Sequence, residues 1–353
     1  MTDSTQHTGV TPVLEVTDLK KSFTFRKGLF VGAYSDVKAV DGLSLTIAPG
    51  ETLALVGESG CGKSTVGKLI LRLLEPTAGT LRLNGEDITH MSASRLRPYR
   101  KQMQIVFQDP YASLNPRMTA GDIVAESLVI HSATKGLELE QRVASLLSRV
   151  GLPADAIGKY PHEFSGGQRQ RIGIAKALAL NPSLIVCDEA VSALDVSIQA
   201  QIINLLIDLQ QELGLSYLFI SHDLAVVEHI SHRVAVMYLG RIVETGPNKP
   251  LFSRPLHPYT EALLSAAPEL DPDADKSHRI VLSGDVPSPL APPSGCHFHT
   301  RCPYAMERCR TATPQLRELE PGHFAACHLH DNGVAFPLRR REGEAPLALR
   351  AAN

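Results

Sequence analysis

The chain has 353 residues, 43% of them hydrophobic and 20% charged, which suits one large globular domain or two modest ones with a full core. Its 35 basic and 37 acidic residues leave neither a general nucleic-acid surface nor a polybasic membrane anchor. No run approaches the roughly 20 apolar residues that span a bilayer, and the polar opening MTDSTQHTGVTP lacks the layout of a signal peptide. The chain is therefore expected in the cytoplasm, reaching any membrane process through a partner that spans the bilayer.

In chain order, Leu14 to Leu19 and Leu43 to Ile47 alternate apolar and polar residues as half-buried strands do. Phe25 to Tyr34 between them reads as a loop or hairpin. Leu53 to Val56 is a buried strand; it breaks at a Gly-rich turn and restarts as a helix over Thr65 to Leu74. Met103 to Phe107 is a further strand, and Ala120 to Tyr160 a largely helical insertion. A helix from about Gly166 to Leu180 stops at Asn181-Pro182. Leu184 to Val186 and Tyr217 to Ile220 are buried strands separated by a helix over Ile198 to Leu213. This alternation predicts an α/β sheet with parallel strands. Past Ala267 the prolines, among them Pro287, Pro289, Pro292 and Pro293, exclude a central strand or long helix over 268–295 and mark a linker or extended arm.

Gly57-Glu58-Ser59-Gly60-Cys61-Gly62-Lys63-Ser64, followed by Thr65, fits G-x-x-x-x-G-K-[ST] between a strand and a helix. Its glycines let successive N–H groups point into one concavity, to which the helix adds its positive end. Lys63 is then placed to reach β- and γ-phosphates and Ser64 to ligate Mg²⁺. Leu184 to Glu189 is an apolar strand ending on two carboxylates. Taken alone, those acids could simply face solvent at a sheet edge. After a phosphate loop, Asp188 suits the Mg²⁺ shell and Glu189 the activation of a water.

Phe164-Ser165-Gly166-Gly167-Gln168-Arg169-Gln170-Arg171 resembles the signature motif of ATP-binding-cassette (ABC) proteins; Ser165 precedes Asp188 by 23 residues, as in that family. As the opening of a helix, Ser165 and the Gly166–Gly167 amides form a second anion-binding terminus. The resemblance implies a P-loop NTPase cassette with a mixed sheet and a helical subdomain at about 109–180, in which the signature (Ser165, Gly166, Gly167, Gln168) closes on ATP held by a second subunit. It carries over further roles. Gln108 becomes the loop glutamine that senses Mg²⁺, which is thus expected at Ser64, Gln108 and Asp188. Asp195, in Ser192-Ala193-Leu194-Asp195, belongs to the loop crossing between subunits, and His222 to the γ-phosphate. The aromatic residue that stacks on adenine is Phe23 by context or Tyr34 by distance from Gly57. Ala190 stands where many members have proline after the glutamate. Catalysis is expected to rest on Lys63, Glu189 and His222, with ATP and Mg²⁺ as ligands.

Four of the six cysteines, Cys296, Cys302, Cys309 and Cys327, crowd a short C-terminal stretch; Cys61 and Cys187 lie far from it. In a reducing compartment such a group reads as a metal site before disulfides. Four thiols suit a [4Fe–4S] cluster, with zinc as the alternative given the loose spacing. This tail, with Val286-Pro287-Ser288-Pro289 and His257-Pro258-Tyr259-Thr260, is similar to the C-terminal extension of dipeptide and oligopeptide permease ATPases, some of which hold such a cluster. The expected organisation is a cassette over 1–267, a linker over 268–295, a Cys-rich extension over 296–330 and a tail over 331–353. The implied partners are a paired ATPase (this chain resembling the second of the pair, with a homodimer as the alternative), two transmembrane permease subunits and, indirectly, a substrate-binding protein, with no nucleic acid. The implied place is the cytoplasmic face of the cell membrane. A nickel importer of the same broad family and a soluble cassette ATPase are the competing functions.

Overall fold

The computed structural model describes residues 11–26, 34–109, 113–131, 135–266, 280, 282 and 284–332. The chain divides into two compact units. The first comprises Met1–Val16, Leu45–Glu51 and Thr80–Leu218; the second comprises Thr17–Ser44, Thr52–Gly79 and Phe219–Asn353. Strands β1 (Leu14–Arg26), β2 (Tyr34–Ile47), β4 (Ala78–Leu83) and β8 (Ser216–Ile220) each have residues in both. Of the stretch Phe25 to Tyr34, expected as a loop or hairpin, β1 runs to Arg26 and β2 starts at Tyr34; residues 27–33 lie outside the described residues.

In the first unit, β6 (Met103–Val106) pairs in parallel with β7 (Leu184–Asp188), Met103 facing Leu184 and Val106 facing Cys187. Leu184, Ile185, Val186 and Cys187 are fully buried. Burying each aliphatic side chain of this kind contributes about 1.5–3 kcal/mol, so the strand anchors the acids that follow it. The insertion is helical as the sequence predicts, with α3 (Ala120–His131) and α4 (Gly136–Arg149) packed on each other and on α5 (Gly166–Leu178). Helix α4 turns Val143, Leu146 and Leu147 inward at helical spacing. Helix α5 ends two residues before the predicted Leu180, and Asn181, at φ 50°, turns the chain into Pro182. Helix α6 (Val196–Leu213) stops on Gly214 at φ 66°, a left-handed cap that glycine adopts at low cost. Three elements here lie beyond the sequence reading: β4 turns into β5 (Glu86–Asp87) through Asn84-Gly85 (φ 50° and 83°), and α2 (Ala93–Arg100) follows.

In the second unit, β3 (Thr52–Val56), buried at every residue, pairs in parallel with β9 (Arg233–Tyr238), with Leu53 facing Arg233 and Val56 facing Val236. The sheet is mixed, as the resemblance implies, with parallel strands joined by antiparallel ones. Leu239-Gly240 turns β9 back antiparallel as β10 (Arg241–Pro247), which pairs with β12 (His323–Ala325), itself paired with β11 (Arg317–Glu320). The order is β11-β12-β10-β9-β3. On β10, Glu244 is fully buried; its carboxylate accepts from Leu256 N at 2.8 Å and His257 N at 2.9 Å and meets His323 Nε2 at 2.7 Å. These bonds fasten residues from three separate stretches of chain. Helix α1 (Lys63–Ile70) is shorter than the predicted Thr65 to Leu74, because Arg72 at φ 53° breaks the helical path. Helices α7 (Leu224–Ile230), α8 (Asn248–Ser253), α9 (Pro258–Ala266) and α10 (Glu307–Thr311) complete this unit among the described residues. The described part of 268–295 holds neither helix nor strand, as its prolines predict, and 267–279 lie outside the described residues. No helix among the described residues is long and apolar enough to cross a membrane.

Candidate active site

The candidate residues divide between the units. In the second, β3 delivers the chain into the glycine loop. Gly57 has φ 152°, and a Cβ there would come within 2.2 Å of the Met237 carbonyl oxygen. Gly62 has φ 111°, and a Cβ would come within 2.2 Å of the Ala39 carbonyl oxygen. Backbone oxygens cannot yield as side chains do, so both positions require glycine. Gly62 caps α1 without any side-chain acceptor, leaving the first-turn N–H groups of the helix to face the loop. Lys63 opens that helix with 5% of its surface exposed, and its Nζ donates to the carbonyls of Gly57 at 2.7 Å and Glu58 at 3.0 Å. Ser59, Gly60 and Ser64 are exposed and Thr65 is half-buried. Cys61 is buried, which pushes its thiol up, and Lys63 only partly offsets that. This thiol is a packing residue of the loop rather than a nucleophile.

His222 is exposed directly beyond β8. Ser221 N donates to Leu55 O at 3.3 Å, which sets His222 at the end of the sheet where the glycine loop begins. Asp223 caps α7 by accepting from Ala225 N and Val226 N. Phe23 is half-buried on β1, with Lys21 Nζ lying 5.2 Å from its ring centroid. Tyr34 begins β2, and its side chain lies outside the described residues.

In the first unit, the parallel register carries two side chains to one end of the β6–β7 pair. Val106 faces Cys187, so Gln108 and Glu189 each stand two residues further on. Gln108 Nε2 donates to Glu189 Oε2 at 2.8 Å. Glu189 holds φ 50°, an uncommon backbone conformation for a residue with a Cβ. The turn behind it is tied by Ser192, whose Oγ donates to Glu189 O at 3.0 Å. Asp188 is half-buried and Ala190 buried.

Ser165 opens α5 through a reciprocal cap: its Oγ accepts from Gln168 N at 3.3 Å, and its N–H donates to Gln168 Oε1 at 3.0 Å. Ser165 is exposed. Gly167 is buried where a Cβ would meet Ile198 Cγ2 at 2.5 Å, so the second signature glycine lets α5 approach α6. Gln170 Nε2 donates to Phe107 O at 3.4 Å, linking the signature helix to the chain beside Gln108. Asp195 caps α6 with an exposed carboxylate that makes no bond to the first turn, next to Val196 at 82% exposure.

The four C-terminal cysteines are gathered, yet not as the expected metal site. Cys296 N donates to Cys309 O at 2.8 Å. Burial pushes the Cys327 thiol up to about 12; a backbone N–H at Leu329 opposes this, and Cys296, Cys302 and Cys309 raise it again. Cys302 likewise stands at about 12, from burial first. Among the described residues, however, no group of three or more His, Cys, Asp or Glu side chains is disposed to hold a metal ion. The thiols do not converge as ligands.

One residue of the loop has partners that the sequence reading missed. Glu58 donates its N–H to Tyr259 Oη at 2.8 Å, and its carboxylate is held by Arg301. The partners lie 201 and 243 residues away, and no local pattern signals either.

The chain is similar to known proteins over almost its whole length. Residues 40–192 match the ABC transporter family model, and residues 243–309 match the model of the oligopeptide/dipeptide transporter C-terminal region. The oligopeptide transport ATP-binding protein AppF of Bacillus subtilis is 54% identical over 332 residues, covering 94% of this chain and 100% of that protein. A putative peptide import ATP-binding protein of Brucella ovis is 56% identical over 322 residues, covering 91% of this chain and 99% of that one. A dimeric ATP-binding cassette in a post-hydrolysis state, bound to ADP and Pi, matches with a TM-score of 0.59 at 28% identity over 67% of this chain and 99% of that one. Another match, cbiO1 of Clostridium perfringens, part of an ABC transporter complex, has a TM-score of 0.59 at 28% identity over 69% of this chain and 91% of that one. With a glycine loop that admits no Cβ at Gly57 or Gly62, a glutamine-held glutamate and a capped helix behind Ser165, the chain belongs to the ABC transporter family, among its ATP-binding proteins.

Proposed function

We propose that this chain is the ATP-hydrolysing subunit of an importer of dipeptides or oligopeptides. The observation that carries the reading is the similarity of more than nine-tenths of the chain to peptide-transport ATP-binding proteins, C-terminal region included. In this reading the glycine loop, through Gly57, Ser59, Gly60, Cys61, Gly62 and Thr65, wraps the triphosphate, and Lys63 turns its Nζ from loop carbonyls to the β- and γ-phosphates. Phe23 is the favoured adenine contact, with Tyr34 the alternative. Ser64, Gln108 and Asp188 are the residues that would hold Mg²⁺, which would supply charge neutralisation to the phosphates. Glu189 accepts a proton from the attacking water. The water oxygen bonds to the γ-phosphorus, the bond to the bridging oxygen breaks, and ADP and phosphate leave. His222 stabilises the transferring group from one subunit. Ser165, Gly166, Gly167 and Gln168 do so from a second, and Asp195 lies at the crossing between them. What supports the two-subunit reading is the exposure of the Ser165 terminus, of Asp195 and of Val196.

The partners that go with this reading are a paired ATPase or second copy, two permease subunits and a substrate-binding protein, with the chain peripheral to the cytoplasmic face of the membrane. The organisation is a cassette over 1–267, a linker over 268–295, an extension over 296–330 and a tail over 331–353. Uptake of labelled dipeptide and labelled nickel in cells carrying wild-type or Glu189→Gln chain tests the cargo. Loss of dipeptide uptake alone is the expected result. Loss of nickel uptake alone would transfer the motor to a metal importer, and loss of neither would reopen the soluble-ATPase reading or another cargo.

Within the same reading, Cys296, Cys302, Cys309 and Cys327 are the residues that would hold a [4Fe–4S] cluster, zinc being the alternative. What supports this is four cysteines within residues 296–327, with Cys296 N bonded to Cys309 O at 2.8 Å; binding would have to draw the thiols together and deprotonate them. Cys302→Ser is expected to abolish iron bound by chain purified without oxygen; iron content equal to wild type defeats the assignment.

A further inference from the structure

We propose that Arg301 and Tyr259 are positioning residues for the glycine loop, so that the C-terminal segment sets the affinity of the site for ATP. The inference rests on the reading of that loop as a triphosphate site. Glu58 is its second residue, and an uncompensated carboxylate there would repel an anionic ligand. Arg301 meets it with both arms of the guanidinium, Nη1 to Oε2 at 2.7 Å and Nη2 to Oε1 at 3.0 Å. The planar fork matches the carboxylate in a way that a lysine cannot. The Arg301 side chain is 7% exposed and that of Glu58 26%, so the pair is shielded far better than an ordinary surface ion pair.

The other polar groups of Glu58 are also engaged. Its N–H donates to Tyr259 Oη at 2.8 Å, while its carbonyl accepts from Lys63 Nζ at 3.0 Å and from Cys61 N at 3.3 Å. The clamp thus reaches the lysine that faces phosphate through a single residue. Its own backing is stiff. Tyr259 packs against Tyr238 with centroids 4.7 Å apart, and Phe298 closes on both at 5.3 Å. Phe298 is buried three residues before Arg301, and Arg301 N donates to Phe298 O at 3.0 Å. The aromatic cluster therefore fixes the turn that presents the guanidinium. Nothing in the glycine-loop motif demands this arrangement; it joins the C-terminal region to the nucleotide site.

Equilibrium binding of ATP with Mg²⁺ to the purified full chain, alongside steady-state hydrolysis, tests the proposal. Arg301→Met is expected to weaken ATP binding roughly tenfold and to raise KM in step, with kcat at saturating ATP nearly unchanged. Adding Glu58→Gln to Arg301→Met is expected to restore most of the affinity, because the stranded charge is gone. Tyr259→Phe removes one acceptor at almost constant volume and is expected to weaken binding about threefold; it keeps the test alive if Arg301→Met fails to fold. Wild-type affinity in folded Arg301→Met or Tyr259→Phe, even with a lowered Tm, overturns the proposal and leaves the clamp as plain structure. A wild-type chain that binds no ATP is a different failure, that of the site reading itself.

Discussion

Glu189→Gln is expected to lower ATP hydrolysis by about 10²–10⁴-fold while ATP remains bound. The size of the effect follows from how little else the substitution changes. Glutamine has the shape of glutamate, so the positive φ of residue 189 and the Ser192 bond to its carbonyl are retained. Gln108 still finds an amide oxygen where it now donates to Glu189 Oε2. Only the capacity to take a proton from water is removed. Phosphate release measured beside ATP binding checks this, and the nucleotide-bound dimer should be longer-lived on size exclusion with ATP. Wild-type turnover in this variant would remove Glu189 from the base role and direct attention to another group.

The second large effect is expected at Lys63→Met. Methionine has nearly the same length and volume, so the helix start and its packing survive. Two consequences should appear together. Bonds from a charged donor to phosphate are worth about 1.5–3 kcal/mol each, so ATP binding should fall by about 10²-fold and turnover should become undetectable. In the free chain, the Gly57 carbonyl loses the Lys63 donor and the Glu58 carbonyl is left with Cys61 N, and thermal denaturation should show a drop of several degrees, consistent with about 1–2 kcal/mol. Retained affinity would mean that the glycine loop binds something other than a triphosphate.

Much of the site was legible because its chemistry is local. The glycine loop, the capped Ser165 terminus and the acids closing β7 are each set by a few adjacent residues, and their φ angles, caps and burial follow from residue type. The strands around them were found where apolar runs were long and bounded by turns. The Asn84-Gly85 hairpin was equally present in the sequence, as the strongest short-range turn signal. Strands β9 to β12 were harder to see: they pair antiparallel at one side of a sheet whose other members are parallel, and periodicity within one strand does not report its partner.

The residues of this chain thus determine by themselves a glycine loop, a serine-capped helix and an apolar strand ending on two acids, since each needs only near neighbours. Only the tertiary structure decided that Gln108 holds Glu189, that the C-terminal cysteines gather without converging as metal ligands, and that Arg301 and Tyr259 grip Glu58. Those contacts close loops of 81 to 243 residues. Which distant side chains meet across such loops is settled by packing and sheet order, because the chain between them imposes almost no preference of its own.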